Sequence, residues 1–121
     1  MKKCILIFDD DAETLAVSKI ILEQQNFWVE VRSLCDDIVR DILDIRPVII
    51  LIDLWMPEIG GEKAVELMKR NSSTSHLPAI LFSANDEIEE ICRRCGADGY
   101  LKKPFSISEL LDVISRHSAS D

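Results

Sequence analysis

No apolar run in this chain approaches the roughly 20 residues that a membrane helix needs. The longest, such as VIILI at 48–52, are the length of a strand. The N-terminal MKKCILIFDDD meets acid too soon to serve as a secretory signal. Clusters of positive charge are missing as well. With 14 Lys and Arg against 22 Asp and Glu, the net charge is −8. No basic stripe is present to lie along a phosphate backbone, so direct nucleic-acid binding is disfavoured and the expected partner is a protein. Glycine is scarce, four residues in all, and none forms a Gly/Ser-rich loop after the first apolar run, where a flavin or nucleotide phosphate would be cradled. Four cysteines without a secretory context read as reduced thiols, which points to a cytoplasmic protein. A length of 121 residues suits one compact domain spanning 1–121.

What the chain does contain is a regular alternation. Apolar runs at 4–8, 28–31, 48–53, 79–83 and 99–102 alternate with helix-periodic segments at 12–25, 36–45, 61–71, 86–95 and 106–117. The helical segments repeat apolar residues at i, i+3, i+4 and i+7, as in Ile88, Ile91, Cys92 and Cys95 or Ile107, Leu110, Leu111 and Ile114. Asn26 and Gly96 stand where C-terminal caps belong, Pro47 blocks the second helix, and Ser106 suits the N-cap of the last. CILIF, VIILI and AILF are continuously apolar, the mark of central parallel strands covered on both faces, whereas WVEV alternates and GYLK soon turns polar, as edges do. With right-handed crossovers the expectation is a doubly wound (βα)5 α/β sandwich with a parallel sheet in the order 2-1-3-4-5, a flavodoxin-like arrangement.

In such a sheet, ligands bind beyond the carboxyl ends of the strands, at the switch point between strands 1 and 3. Strand 1 ends there in Asp9 and Asp10, strand 3 in Asp53 and strand 4 in Ser83, and strand 5 runs into Lys102 and Lys103. Two carboxylates about 5 Å apart repel by roughly 3 kcal/mol at an effective dielectric near 20, so the cluster costs stability unless a cation lies between them. Mg²⁺ is the hard cation that suits a few carboxylate oxygens and shares its sites with phosphate. One aspartate is then left as a nucleophile toward phosphorus, and Asp53, on the central strand, is the natural choice, with a hydroxyl and an ammonium opposite to hold phosphoryl oxygens. Asp11 reads instead as the start of a helix.

The combination of Asp9 and Asp10, LIDLWMPEIGG around Asp53, Ser83-Ala84, CGADGYL and YLKKPF resembles the receiver domain of two-component response regulators, and the likeness runs the length of the chain. It implies that Asp53 takes a phosphoryl group from the phosphohistidine of a sensor kinase or phosphotransfer protein. Asp10, Asp53 and the Trp55 backbone carbonyl would bind Mg²⁺, with Asp9 acting mostly through water. Ser83 and Lys103 would contact the phosphoryl oxygens, the Lys103-Pro104 bond would be cis, and Tyr100 would act with Ser83 as a switch. The face built by the fourth helix, fifth strand and fifth helix would then signal to a downstream protein, and self-association through it is compatible with the sequence. Such a domain is a phosphoacceptor, not an enzyme beyond its own phosphorylation and slow hydrolysis.

Trp55 departs from the small residue often found two positions past the phosphoacceptor; shielding of the acyl phosphate by its indole is expected to slow hydrolysis, while Asn85 can orient water and oppose it. CRRC at 92–95 closes a helix with both cysteines on its apolar face, so packing is expected rather than redox chemistry or zinc. His76 and His117 read as surface residues. The alternative reading is a haloacid-dehalogenase-type phosphatase, which expects a second aspartate where Trp55 stands. The terminal RHSASD suits both a stand-alone regulator and a receiver within a longer protein.

Overall fold

The computed structural model describes residues 2–57 and 59–117. Met1, Glu58 and residues 118–121, which include most of the terminal RHSASD, lie outside them. Ten elements alternate: β1 (Cys4–Phe8), α1 (Ala12–Gln24), β2 (Trp28–Arg32), α2 (Ile38–Ile45), β3 (Ile49–Asp53), α3 (Gly61–Arg70), β4 (Ala79–Ser83), α4 (Ile88–Cys95), β5 (Gly99–Lys102) and α5 (Ile107–His117). All strand pairs are parallel, in the order β2-β1-β3-β4-β5. This is the expected flavodoxin-like sheet. Among the described residues no helix is long and apolar enough to cross a membrane.

Continuous apolar runs lie where both faces are covered. Every residue of β3 and β4 is buried, and all of β1 after Cys4. The alternation of side chains along each strand sorts them into two cores. Leu6, Phe8, Ile50, Ile52 and Leu81 face α2, α3 and α4, while Ile5, Ile7, Leu51, Phe82 and Leu101 face α1 and α5. Burying a Leu, Ile or Phe contributes about 1.5–3 kcal/mol, so these two layers dominate the stability of the sheet. The outer edge of β2 is blunted against strand addition: the carbonyls of Val29 and Val31 accept hydrogen bonds from Lys19 Nζ (3.2 Å) and Arg32 Nη1 (2.9 Å).

Two helices begin two residues later than their sequence pattern suggests. Asp37 caps α2, accepting from the Arg40 N–H at 3.1 Å, so the helix starts at Ile38 instead of 36. Asn85 folds residues 85–87 into a turn by accepting the Glu87 N–H at 2.7 Å, and α4 starts at Ile88 instead of 86. Elsewhere the caps match: Asn26 has a positive φ, Gly96 ends α4 in the left-handed region, and Ser106 and Glu109 exchange hydrogen bonds as a capping box before α5. Arg46, next to Pro47, takes the left-handed cap of α2. Cys92 and Cys95 are both buried in the α2-α3-α4 core, as packing requires. His76 is exposed, and His117 is half-buried on the surface of α5, its ring beside Gly99, where a Cβ would stand 3.1 Å from the imidazole Cε1.

Candidate metal centre and phosphoacceptor site

Gly61 fixes the floor of the site. A Cβ there would lie 2.2 Å from the Asp53 carbonyl oxygen and 2.9 Å from Leu54 Cα, so only glycine lets α3 start directly against the end of β3. The Gly61 N–H donates to the Leu54 carbonyl at 2.9 Å, and the Leu54 N–H to the Phe82 carbonyl at 3.0 Å, which fastens the residue after Asp53 to β4. The Asp9 N–H donates to the Arg32 carbonyl at 3.1 Å and the Lys103 N–H to the Ser83 carbonyl at 2.8 Å. Backbone bonds thus deliver four candidate side chains to one rim.

Asp9, Asp10 and Asp53 bring carboxylate oxygens within 4.8 Å of one another. Asp9 is fully buried, Asp53 is 6% exposed and Asp10 is exposed. Both Asp9 oxygens are engaged: Oδ1 accepts the Asp11 N–H at 3.0 Å and Oδ2 accepts from Lys103 Nζ at 2.8 Å. Lys103 Nζ is 3.8 Å from Asp53 Oδ2. Burial first, and then the charge of Asp9, pushes the Asp53 carboxyl up from 3.8 to about 6, against the pull of Lys103 and the Trp55 N–H. One ammonium does not neutralise three carboxylates. Three hard oxygen donors this close, two of them buried, fit a divalent cation such as Mg²⁺.

The remaining residues take distinct places. Asp11 lies outside the cluster and caps α1, accepting the Glu13 N–H at 3.1 Å and the Thr14 hydroxyl at 2.7 Å; that hydroxyl, first of all, holds its carboxyl below the usual range. Ser83 is buried at the end of β4, and its Oγ accepts the Asn85 N–H at 3.0 Å. Lys102 points away to pair with Asp86, so the adjacent lysines have separate tasks. The Lys103-Pro104 peptide is cis. Tyr100 is 39% exposed on β5. Trp55 is 67% exposed and lines a groove with Asn85, Glu87 and Arg94, with its indole in solvent instead of folded over Asp53.

Sequence reasoning missed one neighbour of the site. Lys103 Nζ lies 4.9 Å from the centroid of the Phe82 ring, and Phe105 meets that ring edge-on at 6.2 Å. Phe82 reads as one more apolar residue of β4, and only the pairing of Ser83 with Lys102 across β4 and β5 could have placed it beside Lys103.

Fold and rim together define an acid-rimmed, doubly wound α/β domain with the Lys103 ammonium set against two of its clustered carboxylates. The response regulator receiver domain profile matches residues 5–115, and the chain belongs to that family. It is 31% identical over 118 residues to the protein PilG of Pseudomonas aeruginosa, covering 96% of this chain and 87% of PilG. It is 32% identical over 113 residues to the phosphate regulon transcriptional regulatory protein PhoB of Klebsiella pneumoniae, covering 92% of this chain and only 49% of that one. Thus it spans most of PilG but about half of PhoB. Among solved structures, the receiver domain of a sensor histidine kinase from Pseudomonas aeruginosa superimposes with a TM-score of 0.89 at 25% identity, covering 99% of this chain and all of the other, and holds a magnesium ion in its active site cleft.

Proposed function

We propose that residues 1–121 form a single receiver domain that accepts a phosphoryl group on Asp53 from the phosphohistidine of a sensor kinase or phosphotransfer protein. The observation that carries this reading is the convergence of three carboxylates within 4.8 Å of one another, two of them beside Lys103, at the switch point of the sheet. Asp53 Oδ attacks phosphorus as the bond from phosphorus to the donor's imidazole nitrogen breaks, and that nitrogen leaves with the electron pair. Asp10, Asp53 and the Trp55 carbonyl would hold Mg²⁺, with Asp9 assisting through water. When bound, Mg²⁺ supplies positive charge to the transferring phosphoryl oxygens. Lys103 contributes the protein's own positive charge, and Ser83 a hydroxyl from the neighbouring strand.

A phosphorylated Asp53 carries close to two negative charges, which recruit Ser83 and Lys103 and so pull on β4 and β5. Tyr100 turning inward from its exposed position would relay that pull to the α4-β5-α5 face, where a downstream protein or a second copy binds. A groove of about 510 Å³ beside the rim, lined by Val17, Ile21, Phe105 and Ile107 and sharing Ala84 and Lys103 with the site, suits the donor protein. Val17 and Ile107 are each at least half exposed there. The domain acts in the cytoplasm as a phosphoacceptor, its own phosphorylation and slow hydrolysis being its only chemistry. A haloacid-dehalogenase-type phosphatase finds no second carboxylate at position 55, where an exposed Trp stands.

Phosphate-affinity electrophoresis after incubation with a small acyl phosphate tests this. A retarded band that needs Mg²⁺ and disappears in Asp53→Asn is expected; a band that persists in Asp53→Asn would refute the assignment.

A further inference from the structure

Lys103 stands between unequal attractions. Its ammonium is 2.8 Å from Asp9 Oδ2 and 3.8 Å from Asp53 Oδ2, so in the unphosphorylated domain it leans toward Asp9. To act on a phosphoryl group at Asp53 it must move the other way. The side chain is 24% exposed, so little water accompanies the move. On a further side of the ammonium lies the Phe82 ring, 1% exposed, with its centroid 4.9 Å from Nζ. That is within the distance at which a cation is drawn to the negative face of an aromatic ring, and the attraction is strongest where solvent is excluded. The ring is braced by Phe105, edge-on at an interplanar angle of 86°, and by the α1-α5 core.

We propose that Phe82 is a positioning residue for Lys103, a reading that rests on the phosphoacceptor function above. A carboxylate holds an ammonium along a few directed N–H bonds, whereas a ring face attracts it over a broad area. As Lys103 shifts from Asp9 toward the phosphoryl oxygens, the Phe82 face stays beneath it and replaces part of the attraction lost from Asp9. An aliphatic side chain of similar size would fill the space without that pull. Phe82 is the register partner of Asp53 across β3 and β4, and in this scheme its ring acts on the phosphoryl group through the Lys103 ammonium alone.

The test replaces Phe82 with mono-, di- and trifluorophenylalanine, which keep the shape of the ring and progressively drain its negative face. Phosphorylation of Asp53 by a small acyl phosphate with Mg²⁺ is the readout, in the native background and in Lys103→Met. The rate should fall stepwise, by about tenfold over the series, the scale of a partly desolvated cation–π contact. The series should be flat in Lys103→Met. A flat series in the native background, or the same decline in both backgrounds, would overturn the proposal. A second readout needs no phosphate. Ring current should shift the Lys103 ε-methylene protons upfield in the native domain, and Phe82→Leu should return them to their ordinary position; unshifted protons in the native domain would also overturn it. If the shift is present but native Asp53 takes no phosphate, the phosphoacceptor reading fails and the positioning role with it, while the contact stands.

Discussion

Asp53 is the residue on which most of the chemistry converges, and its environment sets a sign that can be checked. Its carboxyl is raised from 3.8 to about 6, first by burial and then by Asp9. The folded state therefore holds a proton that the unfolded chain gives up between those values. That contribution to stability is complete below about pH 4 and is lost as the pH rises through about 6. A shift of about two units corresponds to at most about 3 kcal/mol. Without divalent metal, Asp53→Asn should therefore be more stable than the native domain at pH 7, by up to that amount, and should match it near pH 4. Urea unfolding at the two pH values measures this, and an equal difference at both would contradict it. Mg²⁺ at pH 7 should raise the melting temperature of the native domain much more than that of Asp53→Asn, because a ligand stabilises the state that binds it. Trp55 supports a second expectation at this scale. Its indole is free to turn over an acyl phosphate, so Trp55→Asn should shorten the phosphate lifetime severalfold in a release assay, and an unchanged lifetime would remove Trp55 from the account.

Elements place these residues, and the junction of β3 with α3 is the tightest of them. Because a Cβ at position 61 would collide with the Asp53 carbonyl, Gly61→Ala should cost about 3 kcal/mol or more in denaturant unfolding. It should also slow phosphorylation by moving Asp53, whereas a substitution on the exposed face of α3, such as Leu67→Gln, should do neither. The order of the strands was legible because buried parallel strands must be apolar on both faces, and CILIF, VIILI and AILF have no other comfortable place. The starts of α2 and α4 were not, since Asp36 and Asp37, or Asp86 and Glu87, are all acceptable in a first helical turn. Asp37 and Asn85 decide the matter through single hydrogen bonds that periodicity does not reveal. The contact of His117 with Gly99 was not legible for a related reason: it is defined only once α5 lies on β5.

Across the whole molecule, the site joins residues far apart in sequence. Asp9 and Lys103 are separated by 94 positions and meet at 2.8 Å. The candidate carboxylates could be named from the sequence because each ends a recognisable strand and the switch-point rule puts strand ends together. The contact of Lys103 with Phe82 could not, because a ring inside an apolar run looks like core whatever lies above it. The apolar groove beside the rim shares Lys103 with the site, so the proposed docking of the donor there would be linked to the chemistry. Val17→Lys, on an exposed position of α1, should therefore lower phosphotransfer from a phosphohistidine protein about tenfold, the effect of a charge placed in an apolar contact, while leaving phosphorylation by a small acyl phosphate unchanged. Equal losses with both donors would remove the groove from the docking surface.

The central claim is that Asp53 is the phosphoacceptor of a Mg²⁺-dependent receiver. Intact-mass measurement after incubation with a small acyl phosphate, followed by reductive mapping of the acyl phosphate, tests it most directly. One phosphoryl group per chain, on Asp53 and only with Mg²⁺ present, is the predicted result. No mass gain with Mg²⁺, or a phosphoryl group mapped to any other residue, would contradict it.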